Sequence, residues 1–484
     1  MNRTPELTDR RRMTILAICC SSLLIVSMDN TIVNVALPSI QRDLHSSLAG
    51  LQWTVDAYTV VIASLLLLAG STADRFGRRR TFQAGLLMFV LGSLLCSVAP
   101  TLGWLIAARM IQAVGGSMLN PVAMSIITNV FTEPRERATA IGVWGAVVGV
   151  SLALGPIVGG LLTETVGWRA IFWINVPIGL TAAVLAAIFV PESRARRARR
   201  FDPVGQCLVI LALSSLTYAI IDAPSASWLS TQTVGLLAVS ACSILALALY
   251  ELRRTDPLIE LRFFRSPPFT GATVIAVCAF AGFSGFLFLN TLYLQEVRGY
   301  SALAAGACTL PMAAMAMAFS PLSGRALGRR GPRLPLFVAG GCMTAAALML
   351  TGLSAGTPLW LLLLSYAVFG IGFGSVNPPI TFTAVSGMPD NQAGVAAAVA
   401  STSRQIGQAL GVALTGSILG TVVASHASLE LSSASHAAWW LIAGCGLSVF
   451  VIGAVSTGAW AQRAARISSE RLRSEASAGT VAAG

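Results

Sequence analysis

Lysine is absent from this chain, so all 32 basic residues are arginine. A Walker A loop needs a lysine on the nucleotide phosphates, and its absence excludes that form of ATPase. No hydrophilic segment between the apolar runs is long enough to hold a different nucleotide-hydrolysing domain. We therefore predict that the protein uses no ATP and no cofactor, and that a gradient or a partner protein drives any work it does.

Charged residues are scarce, at 11% of 484 residues, whereas 55% of the residues are hydrophobic and the mean hydropathy is +0.75. This apolar content exceeds what is expected of a soluble domain. The composition therefore predicts a polytopic membrane protein.

Histidine and cysteine do not indicate a metal site. The three histidines, His45, His426 and His436, fall in predicted outside loops, which excludes a histidine proton relay within the membrane. All nine cysteines lie in apolar runs without CxxC or metal-ligand spacing. We therefore predict no metal and interpret the cysteines as small packing residues.

Fourteen apolar runs are long enough to cross about 30 Å of hydrocarbon as helices. The runs are continuous rather than alternating in polarity, which favours helices over a transmembrane barrel. The predicted fold is therefore all-α and polytopic. The runs cover residues 13–37, 53–70, 82–99, 103–130, 138–162, 170–190, 205–221, 233–250, 269–294, 303–323, 334–353, 358–385, 394–423 and 437–460.

The arginines predict the orientation in the membrane. With a cytoplasmic amino terminus, 27 of the 32 lie in inside segments, and only Arg42, Arg169 and Arg298 lie outside. Arg109 and Arg404 fall within or at the edge of a run. The positive-inside rule therefore places both termini in the cytoplasm. The net charge of +12 is spread over short loops that face anionic lipid, so we predict the bilayer and not nucleic acid as partner.

A short internal repeat divides the chain into two halves. The sequence Gly-Arg-Arg at 77–79, after the second run, recurs at 328–330, after the tenth. Runs one to six thus pair with runs nine to fourteen, and runs seven and eight form an inserted hairpin. Two six-helix bundles with a substrate site between them at mid-depth are the architecture of one large transporter class. The predicted segments are a cytoplasmic amino terminus at 1–12, a first bundle at 13–190, a basic linker at 191–204, inserted helices at 205–250, a cytoplasmic loop at 251–268, a second bundle at 269–460 and a cytoplasmic tail at 461–484.

Two acidic residues interrupt the first two apolar runs. An ionised Asp at a helix centre costs on the order of 2.5–3.5 kcal/mol on insertion scales, so Asp29 and Asp56 are candidates for function. On helices they would offer carboxylates to a cavity, together with Asn34 and Trp53. Because burial favours the neutral acid, such a group can act as a proton carrier. Two structural alternatives stay open: Asp29 can be held by Arg109, and Asp56 can lie near the outer interface.

The loop after the second run has the order Gly-x-x-x-Asp-Arg-x-Gly-Arg-Arg. A glycine turn with positive-inside arginines needs no function by itself. This order is more specific, and it resembles the signature loop between helices two and three of the major facilitator superfamily. The resemblance implies a charge network that closes the cytoplasmic side. The matching residues are Gly70, Asp74, Arg75, Gly77 and Arg78.

Four further segments are similar to the fourteen-spanner drug:proton antiporters of that superfamily. Residues 28–38 resemble their first-helix motif, 109–116 the fourth-helix pattern Arg-x-x-Gln-x-x-Gly, and 168–177 a third motif of the group. The fifth-helix antiporter motif, whose glycines and proline let two helices pack closely, is present with Ser151 in place of one glycine. Its residues here are Gly155, Pro156, Gly159 and Gly160.

The resemblance implies a major facilitator fold of fourteen helices, with two six-helix bundles plus two inserted central helices. It also implies a proton-coupled exporter of small, hydrophobic or cationic drugs or antibiotics in the bacterial cytoplasmic membrane. Asp29 and Asp56 would exchange protons or bind cationic drugs, and Arg109 would pair with Asp29. We expect a monomer whose partners are the substrate, protons and lipid. The candidates for lining its cavity are Asn30, Asn34, Trp53, Gln112, Arg404 and Gln408.

Other functions and roles stay open. The same scaffold serves the import or exchange of a physiological metabolite, because a fold does not determine its substrate. A membrane receptor or assembly scaffold would need a substantial soluble domain, and the hydrophilic segments are short. Trp53, Trp144 and Phe286 can line a cavity or pack in the core. Arg404 can contact substrate or face the cytoplasm.

Overall fold

The computed structural model describes residues 8–194, 201–254, 257–386, 388, 392–425, 431–461 and 463–464. Within these residues the chain is helical and has no β-strand, which confirms the predicted all-α class. A 3₁₀ turn at Leu261–Arg265 and a π turn at Tyr293–Val297 accompany the α-helices. The α-helices are α1 Asp9–Leu44, α2 Leu48–Phe76, α3 Arg78–Ser97, α4 Leu102–Val130, α5 Pro134–Thr165, α6 Ala170–Trp173, α7 Asn175–Phe189, α8 Pro203–Ala226, α9 Thr231–Glu251, α10 Pro267–Leu292, α11 Ala302–Cys308, α12 Leu310–Arg330, α13 Arg333–Met349, α14 Leu359–Val385, α15 Ala393–Ser425 and α16 Leu431–Ser456.

Each of the fourteen predicted runs corresponds to helix in the structure. Thirteen spans of the described chain are long and apolar enough to cross a membrane. The predicted eleventh run forms α13, which has 17 residues and is shorter than each of these thirteen spans. The sixth run is divided into α6 and α7, and the tenth into α11 and α12. The helices extend the predicted runs at most ends, because polar residues continue the helix beyond the apolar stretch.

Side-chain caps fix several helix starts. Ser47 accepts a hydrogen bond from the backbone N–H of Gly50 at the start of α2, and Thr101 accepts one from Trp104 at the start of α4. Asp202 caps α8 in the same way. These caps satisfy backbone N–H groups that have no partner within the helix. The helix boundaries therefore follow local sequence as well as hydropathy.

The chain forms two compact units. The first comprises residues 1–201 with 300–307, and the second comprises 202–299 with 308–484. The predicted inserted helices seven and eight are α8 and α9, which pack on each other, and α8 also packs against α15 within the second unit. Residues 195–200 of the predicted basic linker and most of the predicted tail, from 465 onward, lie outside the described residues.

In the first unit, α1 packs on α5, and both α2 and α3 pack on α4. Glycines bring the backbones of α3 and α4 together: a Cβ on Gly92 would overlap the backbone of Gln112, and one on Gly115 would overlap the backbone of Phe89. Small residues permit such close approach between membrane helices. The contact places Gln112 of α4 directly beside α3.

In the second unit, α10 packs on α15, α16 and α14. Phe286 of α10 is fully buried, stacks on Phe369 at 4.1 Å between ring centroids and meets Tyr366 and Trp439 edge to face. Such aromatic pairs stabilise a core beyond their buried area. Phe286 is therefore a core residue, which decides between its two predicted roles.

The histidine prediction is wrong at one position. His436 lies within α16, which begins at Leu431, and its Nε2 is 2.8 Å from the carbonyl oxygen of Leu353. The predicted run began at 437 because the preceding residues are polar, and the helix includes them. His45 follows α1 and ends it with a φ of 48°. His426 lies outside the described residues.

Candidate functional site

Asp29 of α1 and Arg109 of α4 form a buried ion pair. Both side chains are almost completely inaccessible, at 0% and 1% exposure. Arg109 Nη1 donates a hydrogen bond to Asp29 Oδ2 and another to Gln112 Oε1 at 2.7 Å, while its Nε donates to the carbonyl oxygen of Thr54 at 3.2 Å. The predicted pairing of these two residues is therefore present in this conformation.

The second carboxylate oxygen of Asp29 has two further donors. Its Oδ1 accepts a hydrogen bond from Gln112 Nε2 at 2.8 Å and one from Asn175 Nδ2 at 3.1 Å. The same two amides reach Ser93 Oγ, at 2.8 Å and 3.4 Å. A buried carboxylate is stabilised only when its oxygens are paired and hydrogen-bonded. The surroundings of Asp29 meet that condition.

Aromatic rings complete the surroundings of the guanidinium. Arg109 Cζ lies 4.1 Å from the ring centroid of Tyr58 and 5.8 Å from that of Phe172. Rings at this distance attract a cation through their negative faces. We call the whole set the Asp29 cluster, and it joins helices α1, α2, α3, α4, α6 and α7 of the first unit. Its members are Asp29, Thr54, Tyr58, Ser93, Arg109, Gln112, Phe172 and Asn175.

Asp56 of α2 has different surroundings. Its side chain is fully buried, yet neither carboxylate oxygen has a hydrogen-bond partner among the described residues. It lies about 200° around the helix from Tyr58, whose ring contacts Arg109, at about 100° per residue, and so points away from the Asp29 cluster. A carboxylate here lacks the donors that would stabilise a negative charge.

Three predicted cavity residues on α1 and α2 lie outside the Asp29 cluster. Asn34 is buried, and its Nδ2 donates to the carbonyl oxygen of Asn30 at 2.8 Å. Asn34 Oδ1 has no hydrogen-bond partner within the described part of the chain. Asn30 donates to its own helix, and Trp53 is partly buried. Only Asn34 among the three therefore offers an unused buried acceptor.

The antiporter motif of α5 packs on α1 next to Asp29. A Cβ on Gly155 would overlap the hydroxyl oxygen of Thr31, and one on Gly159 would lie 2.6 Å from Cγ1 of Ile32. Thr31 and Ile32 follow Asp29 by two and three residues. The glycines therefore permit the close contact that fixes this part of α1.

The other face of the same motif receives α11. A Cβ on Gly160 would lie 2.6 Å from the carbonyl oxygen of Ala302, and one on Gly306 would overlap the carbonyl oxygen of Pro156. Ser151, which replaces a glycine of the motif, is buried and donates to the carbonyl oxygen of Val147 at 2.7 Å. Its hydroxyl is thus satisfied within α5, and the small side chain fits.

The signature loop contains an internal ion pair and a glycine with a positive φ. Arg78 Nη2 is 3.1 Å from Asp74 Oδ1. Gly77 adopts a φ of 112°, which side chains rarely adopt, and a Cβ there would lie 2.5 Å from Glu192 Oε1. Arg75 is exposed and lies 5.8 Å from the ring of Phe76. Gly70, by contrast, has open space where a Cβ would stand.

Glu192, which sequence reasoning missed, fastens this loop. Its Oε1 accepts hydrogen bonds from the backbone N–H groups of Arg79 and Ser193, at 3.2 Å and 3.1 Å. The backbone N–H of Arg78 also donates to the carbonyl oxygen of Ser193 at 2.9 Å. The start of α3 is therefore tied to the segment that follows α7.

Arg404 and Gln408 lie on α15 in the second unit, whereas the Asp29 cluster belongs to the first. Arg404 Nη2 donates to Thr381 Oγ1 at 2.5 Å, and Gln408 Oε1 is a buried acceptor without a partner in the described ranges. In the part of the chain that the structure describes, no three His, Cys, Asp or Glu side chains are placed so that they could hold a metal ion together.

The Asp29 cluster was only partly visible in the sequence. Arg109 and Gln112 belong to the fourth-helix pattern Arg-x-x-Gln-x-x-Gly. Asn175 is an amide in an apolar run, within the segment 168–177 that resembles a motif of the family. That amide was a usable signal. Ser93 and Tyr58 carried none, because serine usually bonds its own helix and tyrosine is common in apolar helices.

The chain was compared with known families and proteins. Residues 19–412 match the family model described as Major Facilitator Superfamily. The multidrug resistance protein Stp of Mycobacterium tuberculosis (strain CDC 1551 / Oshkosh) is 36% identical over 419 residues, which cover 87% of this chain and 76% of that protein. The tetracenomycin C resistance and export protein of Streptomyces glaucescens is 37% identical over 415 residues, covering 85% and 76% of the two chains.

The solved structures support the same fold. A crystal structure of a D-xylose–proton symporter superposes with a TM-score of 0.66 at 14% sequence identity, covering 91% of this chain and 97% of the symporter. At that identity the likeness concerns the fold alone. Together with its many apolar helices, these matches identify the chain as a multi-pass membrane protein of the transporter class. The protein is a member of the major facilitator superfamily, within its group of drug efflux and antibiotic resistance transporters.

Proposed function

We propose that this protein is a proton-coupled exporter of hydrophobic or cationic drugs or antibiotics in the bacterial cytoplasmic membrane. Relatives that are named for multidrug resistance or for resistance and export support the direction and the broad substrate class. The arginine distribution supports cytoplasmic termini. We propose that the protein works as a monomer, with substrate, protons and lipid as its partners and without nucleic acid or ATP.

The observation that carries the proposal is the difference between two buried acids on neighbouring helices. Asp29 has an arginine and two amides as partners, whereas Asp56 has no hydrogen-bond partner among the described residues. A buried carboxylate without donors is costly. We therefore assign proton uptake and release to Asp56, the acid without donors among the described residues, and a charge-pairing role to Asp29, the acid held by Arg109.

Coupling then follows from competition for these carboxylates. Loss of the Asp56 proton to the cytoplasm leaves a negative charge that a cationic drug can neutralise. Protonation from the outside removes that charge and releases the drug. A pH gradient that is acidic outside drives this exchange, because one proton that enters for one monovalent cation that leaves moves no net charge. Export of a neutral drug in exchange for one proton also gains about 2.3 kcal/mol for each 100 mV of membrane potential.

The Asp29 cluster has a separate role in this scheme. Protonation of Asp29 would remove the counter-charge of Arg109 and weaken contacts that join six helices. Repacking of these helices would then accompany proton uptake. The glycines of α5 pack on the turn of α1 that follows Asp29. A movement of α1 against α5 would therefore also move Asp29 relative to Arg109.

Transport into inside-out membrane vesicles tests the proposal. An acidic lumen should drive ethidium accumulation, and Asp56→Asn should abolish the part that depends on the pH gradient. Asp222→Asn is the matched control, because Asp222 lies at the end of α8 and bonds Ser225 and Gln232. Asp29→Asn should also abolish coupling. Its folded fraction must be measured, because a buried arginine without its partner costs about 3–5 kcal/mol.

Two results would contradict the proposal. Gradient-driven ethidium export that is unchanged in both Asp56→Asn and Asp29→Asn would show that neither acid takes part in proton coupling. Solute that leaves an acidic lumen together with protons would favour import or exchange of a metabolite on the same fold.

A further inference from the structure

Arg404 carries a charge that no acid neutralises among the residues described in the structure. No carboxylate of the described chain forms an ion pair with it. Its hydrogen bonds go to two neutral hydroxyls, Thr381 Oγ1 at 2.5 Å and Ser401 Oγ at 3.3 Å. Arg404 lies about 16 Å along α15 from Ala393, at 1.5 Å per residue. An uncompensated arginine within an apolar helix is a marker of function.

The unused hydrogen-bonding groups of this region converge on one side of α15. Arg404 Nε is buried and has no partner in the described ranges, and the same holds for Gln405 Oε1 and Gln408 Oε1. These three residues lie within about 100° of arc on one helix. A ligand that satisfies them must present an acceptor to the guanidinium and N–H or O–H donors to the two amide oxygens.

An aromatic wall stands beside these groups. Arg404 Cζ is 6.0 Å from the ring centroid of Phe280. Phe280 meets Phe373 edge to face at 5.3 Å, and Phe373 stacks on Phe283 at 4.0 Å. These three rings keep 5–8% of their surface accessible, unlike the fully buried Phe286. Each ring therefore presents only a small accessible part to a planar molecule.

The two helices that carry these groups are held together rigidly. Ser284 Oγ of α10 donates to the carbonyl oxygen of Gln408 at 2.7 Å. A Cβ on Gly407 would overlap the carbonyl oxygen of Val277. Arg404 and the rings of α10 thus keep a fixed relative position within the second unit. Preorganised groups of this kind favour specific binding.

We propose that Arg404, Gln405, Gln408 and the Phe280 ring cluster form a subsite for aromatic substrates that bear an acidic oxygen beside a hydroxyl group. The guanidinium binds a carboxylate, enolate or phenolate oxygen, the glutamines accept from the hydroxyl, and the ring packs on the phenylalanines. The subsite therefore recognises a planar anion, which is a second class of substrate beside the hydrophobic or cationic drugs proposed above. The inference rests on the proposed export function for its physiological meaning, and the binding site itself can be tested without transport.

Binding to the purified full-length protein in nanodiscs tests the subsite. The probes are the hydroxyanthraquinone carboxylate rhein, its neutral methyl analogue chrysophanol, a hydroxyl-free anthraquinone carboxylate and the cation ethidium. Wild-type protein should bind rhein more tightly than chrysophanol. Arg404→Gln should weaken rhein by roughly ten- to a hundred-fold, the value of a charged hydrogen bond, and leave ethidium unchanged.

Two variants control the measurement. Arg333→Gln removes an exposed arginine that also lies over a ring, Phe337 at 5.3 Å, and should not affect rhein binding. Gln408→Leu should weaken rhein more than the hydroxyl-free carboxylate, because only rhein offers a donor. This second variant keeps the proposal testable if Arg404→Gln fails to fold.

The outcomes separate the subsite from the export function. Equal loss of rhein, chrysophanol and ethidium in Arg404→Gln, unchanged rhein affinity in that variant, or no preference of the wild type for rhein would each overturn the subsite. Arginine-dependent rhein binding without gradient-driven transport of any probe would support the subsite and overturn the exporter. Gradient-driven ethidium export with unchanged rhein binding in Arg404→Gln would support the exporter and overturn the subsite.

Discussion

Gly155 of α5 faces Thr31 of α1 so closely that a methyl group on the glycine would overlap the threonine hydroxyl. Asp29 lies two residues before Thr31. The packing motif and the ionisable cluster are thus parts of one structural unit. Substitutions in α5 should affect the chemistry of α1 without touching a charged group.

The first prediction concerns this contact. Gly155→Ala should destabilise the protein by about 1–3 kcal/mol, because overpacking forces the backbones apart, and it should lower drug export. Gly142→Ala on the same helix is the control, since open space surrounds that position. Thermal unfolding in detergent and drug resistance of producing cells measure the two effects. Equal behaviour of both variants would contradict the packing argument.

Asn175 supplies the second prediction. Asn175→Ala removes one donor from Asp29 Oδ1, and a charged hydrogen bond of this kind contributes about 1.5–3 kcal/mol. We expect reduced stability and impaired proton coupling. Ser97→Ala is a suitable comparison, because Ser97 Oγ donates to the carbonyl oxygen of Leu94 within its own helix. Drug accumulation at several imposed pH gradients, together with thermal unfolding, provides the measurement.

The two glycines of the signature loop should respond differently. Gly77→Ala places a side chain at a φ of 112° and against Glu192, and strained backbone of this kind costs of order 1–3 kcal/mol. Gly70→Ala meets nothing within 4 Å and should be tolerated. Resistance levels and thermal unfolding of the two variants provide the comparison. A loss of function at Gly70 equal to that at Gly77 would show that the motif depends on something other than backbone geometry.

Glu192 allows charge and hydrogen bonding to be separated. Its carboxylate lies 3.9 Å from Arg79 and 3.7 Å from Arg80, and exposed ion pairs of this kind contribute about 0–1 kcal/mol. Glu192→Gln keeps an oxygen for the backbone N–H groups and should be nearly neutral. Glu192→Ala should lower the unfolding temperature more. If both variants lose the same stability, the ion pairs would be the larger contribution.

The sequence carried most of the fold, because long apolar runs leave the backbone few alternatives to helix. The exceptions have local causes: α13 is short, and α16 begins earlier than hydropathy indicates because Ser and His residues continue it. The breaks at Ile174 and Thr309 lie within continuous apolar stretches. Hydropathy contains no information on such breaks.

The candidate site was less accessible to sequence reasoning. Asp29, Arg109 and Gln112 stand out as charged or amide groups in apolar helices, and they meet as expected. Ser93 and Glu192 do not stand out, because a serine in a helix and an acid in a loop are common. Their roles depend on which helices pack together. The pairing of helices is a property of the tertiary structure, and the sequence does not show it directly.

Arg109 contacts both the carboxylate of Asp29 and the ring of Tyr58. A guanidinium cannot be deprotonated in proteins, so the positive member of the pair is constant. Asp29→Asn therefore leaves this cation without its acid, whereas Asp56→Asn removes no hydrogen-bond partner from any described residue. The number of protons carried per drug molecule in these two variants separates proton exchange from charge pairing.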